Sequence, residues 1–540
     1  MLANTQDPKE KRGALYAFRQ RYVSNWQRIA QYVDPEKKFN VNGAVYESTP
    51  SSLGYIDQTL ERALRINAAG QHELMTPKSY EWFSFEPLAT VENYEKIDST
   101  VTDVFYTTGR SVAWFIRNSN FHTASEQFYF DRAAYGQAAL WSEYDKKKGR
   151  LKFASIPVGD FMVDRDKFGE LHTFCWDEWM RVQDIVATFP ENVLPTVVKE
   201  KYRASSVNPD NLLVFHLLEK VERTGDPELI EEANGRAWVL RSVFDMTGDV
   251  LLTQFFHTCP VVVSNYFDIS NSPYGTGAGK RALGDQIELT NNLKALSESA
   301  MQKIFPPMLV PEGFDGNIDW GFGGVTTFNP LNVQNKPTPL FQNMMQANEM
   351  QWQVQRLESN IQKSCDMDLF APLLQVKDPQ YMKATVAQMI ESYSARIASP
   401  AYTRLLEEFL EPVVFRCYDL LSNENLVPVL TNDFKIKFTT PFQMLLDRHK
   451  PTLFAEFMQT IAIPMAQIDP SVLQALNTDF ILRDGIKALG MDTKNLKTEA
   501  EIKQIRTAQQ NAQNQSDALT QALGASQIQK NLGQAVSDMR

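Results

Sequence analysis

Apolar residues recur every three or four positions over several long stretches of this chain, and each such stretch reads as an amphipathic helix. Three of them fall within residues 280–421. The first runs from Lys280 to Ile304, with Leu283, Ile287, Leu293, Leu296, Ala300 and Ile304 on its stripe. A helix of that length is roughly 38 Å long, and Pro306-Pro307 stop it. The second runs from Phe341 to Asp366 through Met344, Ala347, Met350, Val354, Leu357 and Ile361. The third runs from Tyr381 to Leu421, with breaks available at Pro400 and Pro412. Two long helices joined through a Pro/Gly-containing insert predict an extended stalk. An ordinary helical hairpin inside a globular core is the alternative.

Ahead of the stalk, residues 14–33 form a strong amphipathic pattern (Leu15, Phe18, Tyr22, Trp26, Ile29, Val33), with Arg19, Arg21 and Arg28 on what reads as a solvated face. Helices are predicted over 53–75, 95–117 and 121–136, with a short strand at Trp82–Phe85. From Ala139 the period changes to two. Leu140–Tyr144 and Leu151–Ile156 flank Asp145-Lys-Lys-Lys-Gly149, a hairpin signal. Further strands fit 161–163, 170–179, 211–222, 236–244, 249–257 and 260–267, with short helices near 181–189 and 193–202, so 139–267 is a mainly β module with a helical insertion. Strands near 426–440 and helices over 441–490 follow. The last forty residues are Gln-rich with weak apolar spacing, which reads as either a marginal helix that needs neighbours or a disordered tail. The fold class is α+β.

Composition narrows the function. At 540 residues the chain exceeds one simple core. A net charge of −11 argues against a tight, sequence-independent grip on nucleic acid by the whole surface. The four cysteines (Cys175, Cys259, Cys365, Cys417) have no CxxC spacing, which fits a reducing compartment. Met1–Arg12 is too polar for a secretory signal, and no apolar run is long enough for a membrane span. The six histidines carry no metal-ligand spacing, and GxSxG is absent.

One phosphate-loop lookalike exists, Gly275-Thr-Gly-Ala-Gly-Lys280, after the apolar Val261–Tyr266 and before a helix. It is one residue short between its outer glycines, and Arg281 stands where a hydroxyl must ligand magnesium. A flexible glycine hinge is the better reading. Lys280-Arg281 at the helix start could still meet a phosphate backbone or a carboxylate.

Taken in order, several segments resemble the head-to-tail connector, or portal, proteins of short-tailed double-stranded DNA bacteriophages. Trp26–Val33 followed by Asp34-Pro35 is similar to the family's opening helix. INAAGQHELMTPKSYEWF, within Leu64–Phe83, resembles its helix, Thr-Pro turn and Trp-Phe strand. Asn118–Glu143 and Ile156–Asp164 (IPVGDFMVD) match in type and order. Pro273-Tyr274-Gly275, then Gly277, resembles the Tyr-Gly-x-Gly that opens the stem helix. Met382–Val414 resembles the family's crossing helix. The resemblance covers about residues 14–450. One departure is that Thr276 and Ala278 stand where the family has a basic residue and a proline, with the charge displaced to Lys280-Arg281.

The resemblance implies a portal-type fold. Its wing would be 1–270, its stem helices 271–305 and 342–366, and its clip 306–341. A tunnel loop at 367–380 would be followed by a crossing helix at 381–420, wing or crown at 421–500, and a helical barrel or disordered tail at 501–540. It implies a ring of twelve copies at the unique capsid vertex of the virion, assembled in the host cytoplasm, through which DNA is packaged and ejected. The implied partners are further copies of the chain, double-stranded DNA, the major capsid protein, a scaffolding protein, the terminase large subunit and a tail adaptor, with no membrane. No catalytic residue, metal or cofactor is implied. The lead-in loop to the stem would be Gly275, Gly277, Gly279, Lys280 and Arg281. Lys363, Leu373, Leu374, Lys377 and Lys383 would face the channel. A conduit should not bind what it conducts, because each cation that neutralised a phosphate would add affinity and slow passage. An acidic ring with a few basic residues to centre the duplex satisfies that. An ATPase motor component and a capsid-internal or tail protein without a channel remain as rival classes.

Overall fold

Helix α1 (Pro8–Val33) begins on a proline, whose missing N–H is no loss in a first turn, and the Asp7 carboxylate caps it by accepting from the Lys9 N–H at 2.9 Å. In the computed structural model the described residues are 7–34, 57–78, 81–88, 99–204, 211–270, 272–304, 308–309, 338–339, 347–375, 400–430 and 434–440. The chain divides into two compact units, Met1–Phe442 and Gln443–Arg540, and all the described residues belong to the first.

The apolar stripe of α1 buries Leu15, Val23, Trp26, Ile29 and Val33. Its polar residues divide: Arg21 and Arg28 are exposed, as the pattern predicts, but Arg19 is buried. Arg19 Nη1 donates to the Gly159 carbonyl at 2.6 Å. Two turns earlier, Lys11 Nζ meets Glu219 at 2.7 Å and Arg12 forks onto Asp177 at 2.7 and 2.8 Å. A fixed fork of donors suits such a seat, so these cations bind α1 to the β module rather than to water.

Helices α2 (Thr59–Met75), α3 (Ser99–Arg117) and α4 (Phe121–Tyr135) follow, with β1 (Phe83–Pro87) between α2 and α3. The β module is antiparallel throughout. Strands β2 (Gln137–Asp145) and β3 (Arg150–Ile156) form the predicted hairpin, and Gly149 takes the left-handed conformation that its turn requires, at φ +62°. Strand β9 (Val261–Asn265) pairs with the other edge of β2, giving the order β3-β2-β9. The second sheet runs β4 (Phe161–Arg165), β5 (Leu171–Arg181), β6 (Asn211–Lys220), β7 (Trp238–Phe244), β8 (Val250–Phe256) in chain order. The helical insertion, α5 (Val182–Thr188) and α6 (Thr196–Ala204), lays Val182, Ile185 and Val198 on Leu212, Val214 and Phe244 of that sheet. Helix α7 (Pro227–Glu232) lies in the β6–β7 connection.

The strand pair β10 (Phe267–Asp268) and β11 (Gly275–Thr276) leads into α8 (Ala278–Ile304). Paired β12 (Met308–Leu309) and β13 (Thr338–Pro339) join its far end to α9 (Ala347–Ser364), so α8 and α9 run antiparallel along each other. Helix α10 (Met367–Gln375) turns off after Asp366, which holds a positive φ of 52°. Then come α11 (Pro400–Leu405), a widened π turn at Leu406–Leu410, α12 (Glu411–Asn423) and β14 (Phe434–Phe438), which pairs with β1. Pro412 therefore does not break the helix. Its ring clashes with the carbonyl four residues back in a regular α turn, and the π turn makes the room. That turn also delivers Phe409 onto Phe128 of α4, ring centroids 4.1 Å apart.

Two histidines 50 positions apart in sequence meet where α2 ends and α4 begins, His72 Nε2 and His122 Nδ1 lying 3.1 Å apart. Burial, the neighbouring His72 and the cations Lys78 and Arg117 push His122 down to about 4, and burial lowers His72 as well. Both are therefore neutral in the fold at pH 7. Between about pH 4 and the unfolded value near 6.5 the unfolded chain binds more protons, so stability falls as pH drops through that window. Thermal unfolding of the wild type minus that of His122→Gln isolates this contribution. The difference is expected to shrink from pH 7 to pH 4.5 by on the order of 1 kcal/mol, after allowing for His122's partial exposure. A pH-independent difference would show that the pair does not titrate there.

Candidate functional site

The stalk stands on the loop Pro273–Gly279, and each residue type in it has a steric reason. Tyr274 is fully buried among Phe18, Tyr22 and Trp26 of α1, with ring centroids 6.1, 4.8 and 5.5 Å away. Gln137 donates to the Pro273 carbonyl at 2.9 Å. The three glycines then lie backbone against backbone on the end of α4. A Cβ on Gly275 would sit 2.4 Å from the Gly136 carbonyl oxygen. One on Gly277 would be 2.4 Å from that of Ala133, and one on Gly279 2.5 Å from that of Ala134. No side chain fits at those distances. The loop is thus a tight seat, which corrects its reading as a flexible hinge. The space a phosphate loop leaves open is filled here by α4 carbonyls. Lys280 and Arg281 are exposed, and the Arg281 guanidinium lies over the Phe267 ring at 3.6 Å.

Below the seat a buried polar network fastens α8 and the turn between α9 and α10 to α2. Gln286 of α8, fully buried, accepts from the Leu60 N–H in the first turn of α2 at 3.2 Å and donates to the Asp57 carboxylate just ahead of that helix at 2.9 Å. Asn67 donates to the Cys365 carbonyl at 2.8 Å. Gln71 donates to Asn67 and accepts from Arg132 Nη1 at 2.9 Å. Arg132 also donates to Ser264 Oγ at 3.1 Å, to the Asn265 carbonyl at 3.0 Å and to the Ala401 carbonyl, and it lies 5.0 Å over the Tyr266 ring. Complete burial lowers its guanidinium to about 10, against the pull of Tyr266 and Glu408, so it stays charged at neutral pH. One side chain thereby joins α2, α4, β9 and α11.

Among the residues predicted to face a channel, Lys363 is exposed on α9. Residues 367–375, predicted as part of an apolar surface loop, are helical. Leu369 and Phe370 are buried, and Phe370 occupies the space where a Cβ on Gly70 of α2 would stand, at 2.2 Å. They are core residues for that reason. Leu373 and Leu374 lie in the last turns of α10, and Lys377 and Lys383 lie outside the described residues. So do most of 306–341, residues 381–399 and everything after 440. On α8 the fully buried line is Ala282, Gln286 and Leu289, one position away from the predicted Leu283–Ile287 line, which is half-buried.

A nucleophile–base arrangement does exist in the β module. His216 Nδ1 lies 2.9 Å from Ser242 Oγ and His216 Nε2 lies 3.0 Å from Glu178. Ser242 is 2% exposed in mid-strand, between paired strands, so no scissile carbonyl can approach its oxygen. The three residues form a cross-strand ladder. Among the described residues no group of three or more His, Cys, Asp or Glu could hold a metal, and no helix is long and apolar enough to cross a membrane.

The described residues thus form a stalk of two antiparallel helices, α8 and α9, standing on a mixed α/β body. Residues 6–496 match the family described as "Bacteriophage head to tail connecting protein", and the chain belongs to that family. It is similar to the "Probable portal protein" of Bordetella phage BPP-1, 21% identical over 526 residues that cover 94% of this chain and 92% of the relative. It is also similar to the "Portal protein" of Salmonella phage epsilon15, at 19% over 526 residues, 95% and 92% of the two chains. The protein is accordingly a structural component of a phage particle, joining head to tail as an oligomer.

Two substitutions separate the seat from the shaft. Gly277→Ala is expected to cost several kcal/mol, roughly the 1–3 of an overpacked core or more, because the Ala133 carbonyl cannot yield. Gly284→Ala in α8, where nothing lies within 4 Å of the added Cβ, is expected to stabilise by about 0.5–1 kcal/mol. Urea midpoints of both variants check this. Arg132→Met leaves buried carbonyls without a donor and is expected to cost about 3–5 kcal/mol, with Arg132→Lys unable to restore the loss. An Arg132→Lys midpoint equal to wild type would show that the fork geometry is immaterial.

Proposed function

We propose that copies of this chain close into a ring, twelve in number, at the unique vertex of the capsid, and that the ring is the channel through which double-stranded DNA is packaged and ejected. The observation that carries this reading is the stalk. Its seat and inner face are fixed by buried contacts within one copy, whereas large apolar side chains, Met301 and Trp352, each 60% exposed, remain on its outside. Contacts that pass head to tail from one copy to the next close on themselves in a ring.

In this reading α8 and α9 are the stem, 306–341 the clip and the β module with α1–α4 the wing. The region after Ala371, with Leu373, Leu374, Lys377 and Lys383, borders the channel, and Lys363 lies near it. The major capsid protein and a scaffolding protein contact the ring in the head. The terminase large subunit docks on the clip during packaging and a tail adaptor afterwards. Assembly takes place in the host cytoplasm. The ring itself turns nothing over: the glycine loop that suggested a motor is filled by α4, and motion of DNA is driven by the docked terminase. An overall charge of −11 per copy, repeated around the ring, lets the duplex slide instead of binding it.

Negative-stain images of the purified protein test the reading. Closed rings with a central hole, twelvefold in class averages, are expected without any added ligand. A monomer near 61.5 kDa at micromolar concentration by light scattering would overturn it.

A further inference from the structure

The exposed positions on the stalk fall into two unlike flanks. On α9, Trp352 and Arg356 stand four residues apart, one above the other, with the guanidinium 5.5 Å from the indole ring. On α8, Glu298 and Met301 stand three residues apart, also on one line, and both are exposed. Lys294, one turn from Glu298, is the other charge on that side of the helix.

The inner faces of the two helices are marked by Leu293 and Leu296 on α8, half-buried, and by Leu357 and Ile361 on α9, buried. Counted from those faces at 3.6 residues per turn, Met301 lies about 110° on in the direction of the chain and Arg356 about 120° back. Because α8 and α9 are antiparallel, those two rotations bring Met301 and Arg356 to opposite sides of the hairpin. One flank therefore offers Trp352 with the cation Arg356, and the other Met301 with the anion Glu298, Lys294 following one turn away.

We infer that the occupant of each flank is a second copy of this chain, with Trp352 of one copy packed on Met301 of the next and Arg356 paired with Glu298. The register supports this. An α9 laid against a neighbour's α8 runs antiparallel to it. With Trp352 opposite Met301, moving four residues on along α9 and three residues back along α8 advances both in the same direction, by about 6 and 4.5 Å. Arg356 then arrives beside Glu298. A contact between unlike flanks is heterologous, so each copy gives one and receives one, as ring closure requires. The inference rests on the ring reading above, and it specifies which stem residues carry the contact.

The experiment uses the full chain. Trp352→Asp and Met301→Asp each replace a side chain that is 60% exposed within one copy, so both variants are expected to keep the wild-type circular dichroism and urea midpoint. Each alone is expected to lose rings in light scattering and electron microscopy. Mixed in equal amounts, each supplies the flank that the other lacks, so a 1:1 heterodimer is expected that goes no further. Arg356→Glu and Glu298→Arg are each expected to weaken assembly at least tenfold, with the combined charge swap restoring it. Rings of normal size from Trp352→Asp would overturn the inference while leaving the ring reading intact. Absence of rings in the wild type would instead remove the ring reading. A mixture that stays monomeric would also overturn the inference. If either Asp variant unfolds, the charge swap alone decides, and failure of the double exchange to restore assembly would count against the pairing.

Discussion

Everything in the described part of this molecule depends on how closely the backbone at the start of the stalk approaches the end of α4. Three glycines lie against Ala133, Ala134 and Gly136 at separations that exclude any Cβ. Gly136 itself, at φ +97°, ends α4 in a conformation open to glycine, and its own missing Cβ makes room for Thr276. Alanine at 133 and 134 keeps the other side of the contact low. The stalk is thus seated by the absence of side chains, and such a joint has little freedom to bend. Tyr274 locks it from the α1 side, so α1, α4 and α8 converge on one short loop.

A close backbone approach excludes water and obliges every polar group nearby to find a partner in the protein. Arg132 meets that demand. Its fork supplies donors to a side-chain amide, a hydroxyl and two carbonyls drawn from three other elements, a set that a lysine could not serve from one point charge. Asn67, Gln71 and Gln286 extend the same logic along α2 to both stalk helices. Leaving any of these groups without its partner in the dry interior costs more than the bond contributes when made. The network therefore specifies one arrangement of stalk on body.

The sequence made the elements visible because hydrophobic period is a local property. α1, α3, α4, the β2–β3 hairpin and α8 lie close to where their patterns place them. What it hid were properties of the far side of each contact. Arg19 reads as a solvated face until Gly159 is seen to be waiting for it. Gly275, Gly277 and Gly279 read as flexible because a sequence shows which side chains are missing but not which backbone fills the gap. Leu369 and Phe370 read as an exposed apolar tip because nothing in 367–380 reveals that Gly70, 300 positions earlier, has left a hollow for the phenyl ring. Pro412 reads as a break because the π turn that accommodates it has no signature of its own. The His72–His122 pair joins residues 50 positions apart and was equally invisible. The motifs that carry the family resemblance were legible as an ordered set. The structure supplies their causes: Asn67, Gly70 and Gln71 in the second, Arg132 to Gly136 in the third, Gly159 in the fourth and Tyr274 to Gly277 in the fifth all belong to the seat or its bracing.

Those causes divide the molecule's surfaces by task. Contacts that must not vary between copies, stalk to body, are buried, polar and fully internal to one chain. Such groups specify a geometry while adding little net stability, because their desolvation offsets most of what they gain. The outer flanks of α8 and α9 are the reverse. They combine exposed charges such as Glu298 and Arg356 with large flexible or aromatic groups, Met301 and Trp352, which gain from burial without demanding a unique geometry. A ring must close at a set number of copies, so the angle between neighbours has to be fixed somewhere. A soft interface cannot fix it. A stalk held rigidly at its seat can, because the direction of its flanks is then determined inside each copy before any two copies meet.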